Sequence, residues 1–223
     1  MPFCLWVKLM RRRNVKNAQS RIDNHLDLVI KNPQDYRGKW QELFNNHNPI
    51  YLEIGMGKGK FLLEHANHNP NINYIGLEKF DSVIVQAVEK ISLSRLSNIK
   101  LINEDATKIL EFFDQKEIQK IYLNFSDPWP KNRHEKRRLT HKNFLKKYES
   151  ILNGDLEMKT DNQTFFEYSL ISFNQEQWKF LDLSLDLHHR SVDETIISTE
   201  YEERFIKKGN QIYFLKTKNR KER

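Results

Sequence analysis

From residue 50 onward, short β-favouring runs alternate with helical patterns, and this alternation leaves few folds open. Ile50-Tyr-Leu-Glu-Ile reads as a buried strand, followed by glycines and a helix over residues 58–66. A second strand is expected over Asn73–Leu77, then a helix over 81–91 that Asp81 or Ser82 would cap. A third strand over Ile99–Ile102 precedes a short helix near 107–113, and a fourth is expected over 121–125. Thr140 is the expected N-cap of the next helix, with Gly154 just past its end. Phe144, Leu145, Tyr148, Ile151 and Leu152 form one helical stripe there. Later strands are expected near 156–159, 181–187 and 211–216, and helices over 164–173 and 199–207. Such a succession makes right-handed βαβ units, hence an α/β fold: a mostly parallel twisted sheet with helices on both faces. Residues 1–40 fit no strand pattern and read as an N-terminal basic arm or extra helix, with one domain over 41–223.

Composition narrows the class further. Fourteen Phe, eight Tyr and four Trp in 223 residues suffice for a core, which argues against a disordered chain. No apolar run approaches the roughly 18 residues of a membrane span, and nothing resembles a secretory signal. A single cysteine, Cys4, excludes an intramolecular disulfide and any Cys-rich zinc site. The expectation is a cytoplasmic protein with no membrane partner. The net charge of +7 is concentrated: residues 131–147 hold eight basic residues against one acid, leaving the rest of the chain neutral. Smaller basic clusters lie at 8–16 and 207–223, a distribution that fits a polyanion such as nucleic acid.

Ligands of open parallel sheets bind at the carboxyl ends of the strands. After the first strand stands Glu53-Ile-Gly55-Met-Gly57-Lys-Gly59, which fails both the dinucleotide spacing and the phosphate-loop pattern. Glu53 ends that strand, where a carboxylate repels a pyrophosphate but welcomes an amino-bearing or cationic ligand. Glu78 ends the second strand, about 20 residues on, where an acid commonly holds ribose hydroxyls. Asp105 follows the third and offers an acceptor to the exocyclic amine of adenine. Three acids closing three successive strands beside a Gly-x-Gly-x-Gly turn fit S-adenosylmethionine, which has a sulfonium, an α-amino group and ribose hydroxyls but no phosphate.

The fourth strand leads into Asp127-Pro128-Trp129-Pro130-Lys131-Asn132-Arg133-His134-Glu135-Lys136-Arg137-Arg138, whose two prolines forbid helix until past them. This string, with Lys159-Thr160-Asp161-Asn162 and Thr199-Glu200-Tyr201-Glu202, resembles the bacterial tRNA (guanine-N7)-methyltransferases over nearly the whole chain. The resemblance implies a Rossmann-like class I methyltransferase fold and a tRNA partner methylated at a variable-loop guanosine. It implies cofactor contacts at Glu53, Gly55, Gly57, Glu78, Asp105 and Asp127, with Asp127 catalytic. It implies substrate contacts at Lys131, Asp161, Thr199, Glu200, Tyr201 and Glu202. RNA contacts are implied at Arg133, His134, Glu135, Lys136, Arg137 and Arg138. A helix-capping role for Asp161 and a packing role for Trp129 stand beside the functional readings. Members of the family begin near a stretch like Met10-Arg11-Arg12-Arg13, so residues 1–9 read as an extra leader.

Two other readings remain: a methyltransferase acting on an exocyclic base amine, and a non-catalytic RNA-binding protein with the same fold. No metal is expected, because the histidines, including His65 with His68 and the pair His188–His189, match no metal motif and read as surface residues. Both monomer and weak homodimer fit.

Overall fold

The computed structural model describes residues 15–189, 202 and 209–219. Among them lies a seven-stranded sheet: β1 (Ile50–Ile54), β2 (Asn73–Leu77), β3 (Ile99–Ile102), β4 (Ile118–Asn124), β5 (Leu152–Thr160), β6 (Trp178–Ser184) and β7 (Tyr213–Asn219). Their order is β3-β2-β1-β4-β5-β7-β6. The first five in that order run parallel, and β7 is antiparallel to both of its neighbours.

The mixed apolar and aromatic reading of β1 has a direct cause in the pleat. Ile50, Leu52 and Ile54 point into one apolar layer with Leu145, Tyr148, Ile151, Phe165 and Phe173 of the helices Lys142–Ile151 and Gln163–Gln175. Tyr51, between them, packs into the opposite layer with Leu62, Ala66, Val85 and Val88 of the helices Lys60–His68 and Asp81–Ser92. Both faces are thus covered over the strands that carry the acids, as the alternation requires.

The segment before β1 closes an edge. A short helix, Ala18–Asp23, packs on Asp81–Ser92 and carries an ion pair between Arg21 and Glu89. Val29 then forms one parallel bridge with Leu101 on the free side of β3. Trp40, fully buried, donates from Nε1 to the Phe112 carbonyl at 2.9 Å.

Several boundaries differ from expectation for local reasons. The first site helix starts at Lys60 rather than 58 because Gly57 and Gly59 hold positive φ of 60° and 70°. Helix Asp81–Ser92 has Phe80 at its N-cap, so neither Asp81 nor Ser82 caps it; Asp81 sits in the first turn, where the helix dipole favours it. The stretch expected as helix near 107–113 is a 3-10 turn, Ala106–Lys108, followed by Ile109–Phe112.

His141, not Thr140, caps the helix Lys142–Ile151, accepting from the Asn143 N–H at 3.2 Å. Thr140 instead bonds Ser169 across a helix–helix contact at 2.8 Å. No loop separates this helix from β5, and Gly154 lies inside that strand. A register shift between Ile118 and Lys120 brings the Gln119 carbonyl within 2.1 Å of where a Cβ on Gly154 would stand. The helix expected over 199–207 falls outside the described residues except at Glu202.

A backbone carbonyl cannot step aside as a side-chain tip can. Gly154→Ala is therefore expected to destabilise the protein by about 1–3 kcal/mol, read from the urea unfolding midpoint. An unchanged midpoint would contradict the close approach at the bulge.

Candidate active site

Because β3, β2, β1 and β4 are adjacent and parallel, their carboxyl ends form one rim. Asp105, Glu78, Glu53 and Asp127 stand along it in that strand order. The sequence-expected acids are thus brought together, although they span 75 positions of chain.

Glu53 is the most buried of them, at 2% exposure. Its Oε1 accepts from Asn124 Nδ2 at 2.9 Å, while Oε2 is buried with no partner. Burial pushes the carboxyl up to about 8, against the Asn124 hydrogen bond and the Lys159 charge, which both lower it; Glu78 adds a smaller rise. Glu78 braces the glycine turn: Oε2 accepts from the Gly57 N–H at 3.3 Å and Oε1 from the Phe80 N–H at 3.0 Å. Gly55 and Gly57 hold φ of 77° and 60° with open space where a Cβ would stand, so the turn needs glycine for its backbone and leaves its outer side clear.

Asp105 caps the 3-10 turn, Oδ1 accepting from the Thr107 N–H at 2.8 Å, and Oδ2 lies 3.4 Å from Lys79 Nζ. Burial raises its carboxyl, but the Thr107 hydrogen bonds and the Lys79 charge outweigh it and hold it below the ordinary value. Two hollows of about 200 Å³, lined mainly by residues of 19–36, include none of these four acids.

The loop after β4 is rigid for reasons visible in its residues. Phe125 and Trp129 adopt positive φ, 49° and 41°, an uncommon state for bulky side chains that persists only where surroundings enforce it. At Phe125 the backbone N–H is held by the Lys159 carbonyl at 2.9 Å, and at Trp129 Arg138 supplies the support. Its guanidinium donates to the carbonyls of Pro128 (3.1 Å) and Trp129 (3.1 and 3.3 Å) and stacks over Tyr168 at 4.1 Å. Tyr168 in turn donates to Glu135 at 3.1 Å.

Glu135 and Arg138, expected at an RNA surface, therefore have partners within the protein. Lys131, Arg133, Lys136 and Arg137 are exposed on and beside the 3-10 turn Asn132–Arg137. Trp129 is half-buried, with Arg137 5.0 Å from its ring and His134 edge-on at 5.6 Å. Desolvation and the Arg137, Arg133 and Lys131 charges lower the His134 pKa.

At the end of β5, Asn162 caps the next helix, accepting from the Phe165 N–H at 2.8 Å. The capping alternative for Asp161 therefore falls, and this half-buried carboxyl is raised by burial. Glu202 is completely buried, both oxygens 3.3 Å from Lys159 Nζ and Oε1 2.8 Å from His188 Nε2. Thr199, Glu200 and Tyr201 lie outside the described residues.

Two histidines expected at the surface are half-buried against partners. His188 holds Glu202, and His65 packs between Phe61 (4.2 Å) and Tyr122 (5.4 Å), where burial first and the Lys159 and Lys120 charges next lower it to about 4. Sequence reasoning also passed over Asn124 and Lys159. The signal for both was present: a polar residue closing the run Ile121–Leu123, and a lysine next to last in β5.

Comparison with known proteins agrees with this architecture. A family model described as "Putative methyltransferase" matches residues 47–215. The tRNA (guanine-N(7)-)-methyltransferase of Bacillus cytotoxicus is 51% identical over 96% of this chain and 99% of its own length. The protein of the same name from Geobacillus sp. (strain WCH70) is 52% identical over 92% of this chain and 93% of its own. The crystal structure of a SAM-dependent methyltransferase from Aquifex aeolicus superposes with a TM-score of 0.53 at 12% identity, covering 89% of this chain and 96% of that one. At that identity the likeness speaks for the fold, which is the Rossmann-like fold of such methyltransferases.

A Glu53 carboxyl lifted from 4.5 to about 8 makes the folded state hold a proton that the unfolded chain has released. The contribution of this group to stability is therefore present below about pH 4.5 and declines as pH rises toward 8. In the ligand-free protein, the melting temperature of Glu53→Gln relative to wild type is expected to climb between pH 5 and 8.5, tracked by calorimetry. A constant difference would contradict the buried state of Glu53.

Proposed function

The chain belongs to the tRNA (guanine-N7)-methyltransferase family, whose members transfer a methyl group from S-adenosylmethionine to N7 of a guanosine in tRNA, and on that premise we propose which residues perform this reaction and that its target lies in the variable loop. The observation that carries the assignment is the strand-end rim of carboxylates, with Glu53 Oε2 sealed from solvent and unpartnered. Such a rim suits a ligand with an ammonium group and sugar hydroxyls and rejects a phosphate.

Glu53 holds the donor's α-ammonium group, Glu78 its ribose hydroxyls and Asp105 its adenine amine, while Gly55 and Gly57 let the backbone come close. When bound, S-adenosylmethionine supplies an electrophilic methyl on a cationic sulfur. Guanine N7 presents an in-plane lone pair and no proton, so no general base is needed. The protein's tasks are alignment and stabilisation of the positive charge that arrives on the base.

Asp127 is the residue for the second task. It is half-buried on a loop fixed by two prolines and by Arg138, and among the described residues its carboxylate has no side-chain partner. While ionised it accepts hydrogen bonds only, so it engages an amino or imino N–H of guanine and not N7. Lys131 and Asp161 contact the substrate. Thr199, Glu200, Tyr201 and Glu202 contact substrate, the oxygens of Glu202 also meeting Lys159 and His188. Arg133, Lys136 and Arg137 take phosphates, with His134 beside them. Glu135 and Arg138 contribute to RNA binding by shaping that surface. With tRNA as substrate, the place of action is the cytoplasm.

Asp127→Ala is expected to lower kcat by about 10²–10³ while binding of S-adenosylhomocysteine persists, measured by single-turnover methylation and calorimetry. Undiminished turnover at saturating tRNA would remove Asp127 from the mechanism. Replacing both Arg133 and Arg137 with alanine should flatten the slope of log affinity for tRNA against log salt by about 2. An unchanged slope would reduce them to solubilising charge.

A further inference from the structure

With Glu53 read as the seat of the donor's ammonium group, the remaining question is what aims that carboxylate. Glu53 lies in β1 and Asn124 is the last residue of β4, two hydrogen-bonded neighbours in the sheet, and both side chains are buried. The Asn124 amide bonds one carboxylate oxygen only. The other is buried and has no hydrogen-bond partner among the described residues. A buried acceptor left in this state costs free energy unless a ligand completes it.

We propose that Asn124 is a positioning residue for the methyl donor: by occupying Oε1 it fixes the plane of the Glu53 carboxyl and presents Oε2 as a dry acceptor for an ammonium group. This rests on the reading of Glu53 given above. Asn124 touches the carboxylate and acts through it.

A consequence is a proton. The charged groups acting on Glu53 are Lys159, from β5 and itself paired with Glu202, and Glu78, beyond β2. With burial holding its pKa at about 8, Glu53 is protonated at pH 7 in the empty site. Arrival of an ammonium breaks the carboxyl O–H bond, the carboxylate–ammonium pair forms, and the proton leaves to the buffer. At pH 7 this amounts to close to one proton per ligand bound.

The test is titration calorimetry of the full-length enzyme at pH 7 in two buffers of different ionisation heat. S-adenosylhomocysteine is compared with 5′-methylthioadenosine, which keeps the nucleoside and lacks the amino-acid end. Wild type should release close to one proton with the first and none with the second. Asn124→Leu and Asn124→Ala should each weaken S-adenosylhomocysteine on the order of 10- to 100-fold and leave methylthioadenosine unchanged. Equal weakening of both ligands, or of neither, would overturn the positioning role. Glu53→Gln separates the two levels. If it weakens S-adenosylhomocysteine selectively while the Asn124 variants do not, Asn124 alone is misassigned. If it too is without selective effect, the reading of Glu53 falls and the proposal with it.

Discussion

Parallel pairing of β3, β2, β1 and β4 brings four carboxyl groups to one edge of the sheet, and the cost of taking them out of water is the constraint that the rest of the site accommodates. Each acid is accommodated differently. Asp105 has a cationic neighbour in Lys79 and a backbone N–H from Thr107. Glu78 takes two backbone N–H groups, one of them from the glycine turn. Glu53, too buried for either solution, is held near neutrality by protonation, with a single amide as its partner. Asp127 stays half-exposed on its own loop. A phosphate would aggravate this arrangement and a sulfonium carrying an ammonium group relieves it, so the choice of donor follows from electrostatics before any contact is considered.

The basic segment answers the opposite requirement. A polyanion must approach a rim of acids, and the eight basic residues of 131–147 adjoin it in sequence. One of them, Arg138, is turned inward, where it holds two carbonyls of the loop that carries Asp127. A single run of sequence thus supplies both the surface charge and the internal strut. Positive φ at Trp129 is tolerable only with such support.

Strands β1 to β4 were legible because buried parallel strands are written in Ile, Leu, Val and Tyr, and the acids because strand ends are predictable once strands are. What escaped reading depends on pairings distant in sequence. Gly154 looks like a helix stop, yet it serves a β4–β5 approach at Gln119. His65 and His188 look like surface residues until Tyr122 and Glu202 are brought beside them. Glu202 reads as one acid among several until Lys159, 43 positions earlier, is brought beside it. Asp161 and its neighbour Asn162 are equally good caps on paper; the helix register selects Asn162.

Chemistry at N7 without a base is the central claim, and the attacked atom tests it most directly. An unmodified tRNA transcript would be incubated with enzyme and S-adenosylmethionine, digested to nucleosides and read by mass spectrometry, beside a transcript whose variable-loop guanosine carries carbon at position 7. The account predicts 7-methylguanosine from the first and no methylated nucleoside from the second. A methyl group on an exocyclic amine, or product from the carbon-substituted transcript, would contradict it.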